Sequence, residues 1–380
     1  MAYSLLPLLR GHFQARHGLL LGLAWVAVQA ALLAHYGIVT DLEPAKYIEQ
    51  AHNLIETGTV STPNFWLYST QIFLFAIAIK LKTGFVPIYI LQLLLNGAAT
   101  LYLYRLIRNR FSWKSAFTIT LILICSIPVQ VFTCILQTES LFFSLTLMFS
   151  CYLLQLKQIR ARECIILLLW ILLILFTRPT GLLFLPPLLL YLAFHFFSRF
   201  AVSWRWIIGL GGAVFLFLFL DRSLGTGGEL DFMLPFQTET VICGVPGISE
   251  RAAVRISENP NSLSGLLYYI THNTGQFIRL SIEKSKAFFL LVRPYYSPVH
   301  NALLLALIFP FYAFCLLSLR WWLKNNKAML LYCSTYIFVT WLSVIMSCDD
   351  WHNRFFFTIL PYIFLLSLPF IEKILHRNTA

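Results

Sequence analysis

Charge is scarce in this chain. Of its 380 residues 12% are Asp, Glu, Lys or Arg, while 59% are hydrophobic and 16% aromatic, and the mean hydropathy is +0.75. That composition excludes an ordinary water-soluble domain. Several chemistries lack their motifs. There is no CxxC spacing for zinc or thiol redox work, no HExxH, no GxSxG and no Gly-rich phosphate loop. No soluble nucleotide-binding domain is present, which argues against a nucleotide-sugar donor and against ATP drive. Of the eight cysteines, Cys125, Cys134, Cys151, Cys164, Cys315 and Cys333 lie in apolar runs, where Cys acts as a small hydrophobe. Cys243 and Cys348 fall in more polar segments and could pair.

What the chain has instead is a series of apolar runs, at about 18–36, 66–82, 85–104, 115–134, 139–156, 163–177, 181–198, 205–221, 299–319, 328–347 and 355–371. Most are long enough to cross a bilayer as helices. The expectation is an all-α polytopic membrane protein, one membrane-embedded domain over 1–380, with its first run retained rather than cleaved as a leader. The net charge of +12 does not indicate nucleic acid, because the cations sit in short connections: Arg105, Arg108, Arg110 and Lys114; Lys157, Arg160 and Arg162; Arg199 and Arg205; Arg320, Lys324 and Lys327; Lys373 and Arg377. Such loops face the cytoplasm. Segments 37–65, 135–139, 178–180, 222–298 and 348–354 then face outward. Between outward 63 and cytoplasmic Arg105 an odd number of crossings is needed, yet two runs lie there. One of them, 66–82, is expected to be re-entrant or interfacial, giving about ten crossings. Eleven full crossings would reverse most later loops.

Two acids follow the first run in Thr40-Asp41-Leu42-Glu43-Pro44. An amphipathic segment comes next, with Pro44, Tyr47, Ile48, Ala51, Leu54 and Ile55 on one face and Lys46, Glu49, Gln50, Asn53 and Glu56 on the other. Gly58 stops it. Thr40 and Glu43 have the spacing of a capping box. Pro44, suited to the first helical position, instead predicts an extended Asp41–Glu43 with both carboxylates on one side. Paired acids raise one another's pKa, which suits a general base. Both readings stay open.

Other polar residues stand at outward ends of runs. Glu139 opens the run 139–156 and is read as a helix cap or a site acid. Arg178, in Thr177-Arg178-Pro179-Thr180-Gly181, either snorkels to headgroups or faces an internal partner. Arg354 follows Asp349-Asp350-Trp351-His352-Asn353. The outer loop 222–298 starts flexibly at Gly225–Gly228, turns at Asn259-Pro260-Asn261, and is amphipathic from Leu263 to Phe289 with Lys284 and Lys286 near its end. Arg293, Tyr295, Tyr296, His300 and Asn301 gather at the mouth of the next span, where they suit either an interfacial belt or a lipid phosphate and a sugar.

The spacing of Asp41, Glu43, Tyr47, Ala51, Leu54 and Gly58 resembles the first outer loop of GT-C superfamily glycosyltransferases, of the protein O-mannosyltransferase and lipid A aminoarabinose transferase group. Arg178-Pro179-x-Gly181 is similar to their RPxG stretch. Arg354-Phe355 with Pro361 is similar to the start of their late span, and Asn259-Pro260 ahead of a helix ending in Lys fits as well. Such a likeness implies a bundle of about 10–11 transmembrane helices with amphipathic helices on the outer face. It further implies transfer of a sugar from a polyprenyl-phosphate carrier to a glycan, lipid or protein acceptor, with inversion. By the same likeness Asp41 matches the loop acid and Glu43 its companion, though the family's commoner form has the acids adjacent and here Leu42 separates them. Arg178, Arg354, His352, Arg293, Tyr295, Tyr296, His300 and Glu139 are the implied donor-phosphate and substrate residues. No cofactor is implied, and two acids alone are a poor metal site. The partners expected are the lipid-linked donor, the acceptor and membrane lipids, not nucleic acid. The implied location is a bacterial cytoplasmic membrane with the site facing outward, and the chain is expected to lack the C-terminal soluble domain of many relatives. A lipid-linked sugar flippase and an outer-face polysaccharide polymerase are the competing readings.

Overall fold

The computed structural model describes residues 6–195, 233–245, 254–350 and 352–377. The chain is helical throughout these residues, with no strand beyond two isolated bridges. It divides into two compact units, residues 1–182 with 371–380, and residues 183–370. Each is treated by itself below.

The first unit runs α1 (Leu6–Tyr36), α2 (Glu43–Thr57), a 3-10 turn (Pro63–Tyr68), α3 (Ser69–Leu81), α4 (Val86–Arg108), α5 (Trp113–Ile124), α6 (Ile127–Gln130), α7 (Thr138–Gln155) and α8 (Ala161–Thr177). Its core gathers Leu32, Tyr47, Ala51, Ile72, Phe75, Tyr89 and Leu136. Gly58, at φ 76, closes α2 by donating its N–H to Leu54 O at 3.1 Å, the left-handed cap that only Gly adopts without strain.

Four contacts define the two ends of this unit. Val39 bridges Ile135, Gln71 Nε2 donates to Leu136 O at 3.1 Å and Gln92 Nε2 donates to Gln137 O at 3.3 Å. At the other end the His17 and Trp113 rings lie 4.0 Å apart. Residues 39, 71, 92 and 136 thus share one level, and α5–α6 climbs from the His17 level to it despite a 62° bend. Because α4 is one continuous helix, its first residues lie beyond that level from Arg108. The four-residue link to α3 keeps Leu81 there too. So although Pro63–Leu81 is long and apolar enough to span a membrane, α3 does not descend beside α1. It packs on α2, and the descent from 37 to 108 is made by α4 alone.

The second unit contains a 3-10 turn from Leu183, α9 (Leu185–His195), α10 (Leu234–Gln237), α11 (Leu263–His272), α12 (Thr274–Leu290), α13 (Pro298–Asn325), α14 (Lys327–Met346) and most of α15 (Arg354–Arg377). The amphipathic stretch 263–289 is not one helix, since Asn273 breaks it into α11 and α12. The turn expected at 259–261 packs so closely that a Cβ on Gly265 would lie 2.3 Å from Asn259 O. Cys243 and Cys348 form a disulfide, reinforced by Cys243 N–H to Asp349 O at 2.7 Å and Asp349 N–H to Val241 O at 2.9 Å.

Among the described residues six helices are long and apolar enough to cross a membrane, or seven if the bent α5–α6 segment is one span. Runs 139–156 and 163–177 add helices of 18 and 17 residues. Run 205–221 and the Gly225–Gly228 start of the outer loop lie outside the described residues, as do Arg199 and Arg205.

The geometry of α3 makes a prediction. Cysteines replacing exposed Ser61 and Thr83 should react with a membrane-impermeant maleimide from the same side, and one replacing Asn109 only from the other. Labelling of positions 83 and 109 from one side would mean that α3 crosses.

Candidate functional site

Gly37, at φ 65, ends α1, and the chain is pinned at Val39 before it reaches Asp41, which is exposed. Leu42 follows at φ 63, ψ −119, with 80% of its surface in water. A branched side chain at such angles costs on the order of 1–3 kcal/mol, and no apolar contact repays it. Asp41–Glu43 is therefore not the extended segment the sequence predicts. Nor does Pro44 open the helix: α2 begins at Glu43, one residue earlier. The capping box is not formed either, since no side chain caps α2.

Glu43 is engaged. Its carboxylate accepts from Tyr47 Oη at 3.1 Å and lies 3.6 Å from Lys46 Nζ. Tyr47 is fully buried, with its ring 5.3 Å from Tyr68, and Lys46 Nζ stands 5.4 Å from the Tyr47 centroid. Burial first, and then the Glu43 carboxylate, hold the Tyr47 hydroxyl well above its usual pKa, so it remains a proton donor. Gln50, expected on the polar face, is buried and accepts Ser61 N–H at 2.8 Å. Ile55, expected on the buried face, is 42% exposed.

Glu139 is fully buried, and its carboxylate meets Arg178 Nη1 at 2.5 Å. Glu139 is thus not a helix cap, and Arg178 does not snorkel. Each answers the other's charge, and Tyr47 feels both. The RPxG glycine has a steric reason: a Cβ on Gly181 would sit 2.8 Å from Ile174 O, where the chain folds back over the end of α8.

In the second unit Arg293 is fully buried rather than open at a mouth. It donates to Asp349 Oδ2 at 2.6 Å, Asp350 O at 2.7 Å and Ala287 O at 2.9 Å. Burial pushes the Asp349 carboxyl up to about 6, against the pull of Arg293. Arg354 pairs with Asp350 at 2.6 Å. His352 is exposed, as are Tyr295 and His300, and Tyr296 stacks on His300 at 4.2 Å. Lys284, near the end of the amphipathic stretch, is buried. It donates to the Ile345 and Ser347 carbonyls and lies 4.1 Å from the Phe236 centroid.

The structure therefore forms two groups of candidate residues, Asp41, Glu43, Glu139 and Arg178 in one unit and Arg293, Tyr295, Tyr296, His300, His352 and Arg354 in the other. Sequence reasoning missed Lys46, Tyr47 and Tyr68 as organisers of Glu43. It also missed Asp349 and Asp350 as the arginines' partners, although a buried Arg in so apolar a chain demands an acid. Among the described residues no three His, Cys, Asp or Glu side chains are placed to hold a metal ion. An apolar hollow of about 470 Å³ is lined by Ala27, Val28, Ala31, Leu32, His35 and Tyr36 near the end of α1 and by Ile127 at the start of α6. An exposed carboxylate beside a neutralised one can take a proton at the end of a membrane span.

Two predictions concern these charges. Arg178→Met should cost about 3–5 kcal/mol, because it strands a buried carboxylate, and Glu139→Leu in the same chain should recover much of the loss. Thermal unfolding in nanodiscs measures both, and a double variant no better than the single would deny that the pair acts as one. Burial lowers Lys284 to about 7, so between pH 7 and the ordinary lysine pKa of about 10.4 the unfolded chain holds more protons than the folded one. Stability attributable to Lys284 should rise across that window, and Lys284→Met should remove the rise.

Residues 69–221 match the model of the dolichyl-phosphate-mannose-protein mannosyltransferase family. Glu139 and Arg178 fall inside the match, whereas Asp41, Glu43 and Arg354 fall outside it. No curated protein and no solved structure matches the chain. With its apolar helices, the match supports a multi-pass membrane glycosyltransferase of the GT-C type.

Proposed function

We propose that the protein transfers a sugar from a polyprenyl-phosphate carrier to an acceptor hydroxyl on the outer face of the membrane, with Asp41 as the general base. The observation that carries this reading is the unequal state of the two first-loop acids. Glu43 is engaged by Tyr47 and Lys46, while Asp41 projects into water beyond a strained Leu42. Asp41 takes the acceptor's proton as its oxygen attacks the anomeric carbon. The carbon–oxygen bond to the carrier phosphate breaks, the phosphate leaves with the electron pair, and the configuration inverts.

The matched family is named for a donor of this class, a mannose on dolichyl phosphate. Lys46, 3.6 Å from Glu43, supplies charge that a departing phosphate needs; in the second unit, taken by itself, Arg354, His352 and the Tyr295–Tyr296–His300 group are the candidate donor contacts. Arg178 and Arg293 act mainly from within, because their guanidinium groups are already held by Glu139 and Asp349. The apolar hollow beside His35 suits part of an isoprenoid chain. The Cys243–Cys348 disulfide supports the outward orientation, since such bonds persist in oxidising compartments, as does the placing of cations at the opposite ends of the spans. No metal enters this scheme, and we place the protein in a bacterial cytoplasmic membrane.

Asp41→Asn should lower transfer by on the order of 10²–10⁴-fold, the contribution of a general base, with donor binding unchanged. Glu43→Gln should cost less and act through donor affinity. Transfer is measured with purified protein, radiolabelled polyprenyl-phosphate sugars and membrane extract. Near wild-type turnover in Asp41→Asn would remove it as the base, and carrier translocation without transfer would favour a flippase.

A further inference from the structure

A polar cleft of about 460 Å³ opens between α10 and the junction of α11 with α12, and it contains none of the residues assigned above. Glu239, His272, Asn273, Gly275, Gln276 and Arg279 line it. Its floor is the small core of Met233, Phe236, Leu266, Tyr269 and Leu280.

The wall is fixed rather than fluid. Asn273 holds the 255 backbone from both sides, accepting Arg255 N–H at 3.0 Å and donating to Arg255 O at 2.8 Å. Gln276 is oriented at both ends of its amide, accepting from Tyr269 Oη at 3.0 Å and donating to Glu239 Oε1 at 2.9 Å. Glu239 adopts φ 50, a conformation that few residues other than glycine take, and that backbone turns its carboxylate toward Gln276 and Arg279.

The charge in the cleft is balanced, Glu239 against Arg279. An acceptor carboxylate, amide groups, a guanidinium with five donors and an imidazole therefore share one hollow without a net field favouring an anion. His272 Nδ1 faces Tyr268 O at 2.8 Å, so Nδ1 carries a proton there. Val254 adds an apolar wall to the same cleft. Donors and acceptors side by side next to an apolar wall match a pyranose ring, whose hydroxyls need both and whose C–H faces need an apolar surface. The volume falls within the range of small-ligand sites.

We propose that this cleft is a saccharide-binding site for a neutral, hydroxyl-rich glycan. It is independent of which loop acid is the base, and it gives the second unit a recognition role of its own.

The test is binding, not turnover. Full-length protein in nanodiscs is probed by saturation-transfer NMR with maltose, mannobiose and chitobiose, and with inorganic phosphate. Gly275 is the useful position, because a Cβ there meets nothing within 4 Å. Gly275→Phe should fill the cleft mouth without disturbing the fold, which unchanged thermal unfolding would verify. At least one disaccharide should show ring-proton saturation that Gly275→Phe abolishes and that Glu239→Ala weakens by at least about tenfold in affinity, ~1.4 kcal/mol. Asp41→Asn should leave the signal intact. Absence of saturation for all three sugars, its persistence in Gly275→Phe, or its displacement by phosphate would each overturn the proposal. A saccharide signal without sugar transfer would sink the catalytic reading and leave this site standing.

Discussion

A buried ionised side chain cannot be left without a counterpart, and much of the structure follows from that constraint. Taking a charge out of water costs several kcal/mol even after relaxation, which only a partner in good geometry repays. Glu139 has Arg178, Arg293 has Asp349 and two carbonyls, and Arg354 has Asp350. Glu372 is held by the hydroxyls of Ser112 and Ser115, and Lys284 by the last carbonyls of α14. Most of these pairs join segments far apart in sequence, 39 residues for Glu139 and Arg178 and 56 for Arg293 and Asp349, while Arg354 and Asp350 are four apart. They therefore fix which helix ends meet, a register that interchangeable Leu and Phe contacts leave open.

The Cys348–Arg354 segment shows the consequence locally. It is polar yet largely buried, and it is anchored on every side: a disulfide to Cys243, backbone bonds to 241 and 243, Arg293 onto Asp349, and Asn353 Nδ2 onto Leu291 O at 3.3 Å. The described residues of this segment, held so firmly, lose little entropy when a ligand arrives, which is how a site is preorganised. Among its described residues His352 is exposed.

Class, spans and acid positions were legible because they rest on composition and period. Apolar runs of bilayer length can be little else, and Gly58 and Pro44 mark α2 to within one residue. Charge counting called for an odd number of crossings between 37 and 105, and the level shared by residues 39, 71, 92 and 136 is compatible with α4 as that crossing. What escaped was pairing. Nothing local tells that Glu139 belongs to Arg178 or that Gln50 turns inward to Ser61, because those contacts depend on which helices are neighbours. The backbone of Leu42 escaped for a similar reason. A leucine gives no sign of a positive φ, and the Pro44 rule constrains Glu43, not the residue before it.

That conformation bears on how the two acids divide their labour. Adjacent carboxylates in one environment share a titration, and neither has a fixed role. Separating them by a residue and reversing the backbone there gives each its own surroundings. Glu43 gains an ammonium and a phenol, so its charge is neutralised and its side chain is held. Asp41 keeps water around it, outside the first turn of α2. Two carboxylates in unlike surroundings are how a site assigns two roles to one functional group. In the proposed reaction the held acid would organise a cation for the leaving phosphate, and the exposed one would receive the proton. The strain at Leu42 is the physical link between the intervening residue in the sequence and that asymmetry. A chain with its acids adjacent would need some other device to tell them apart.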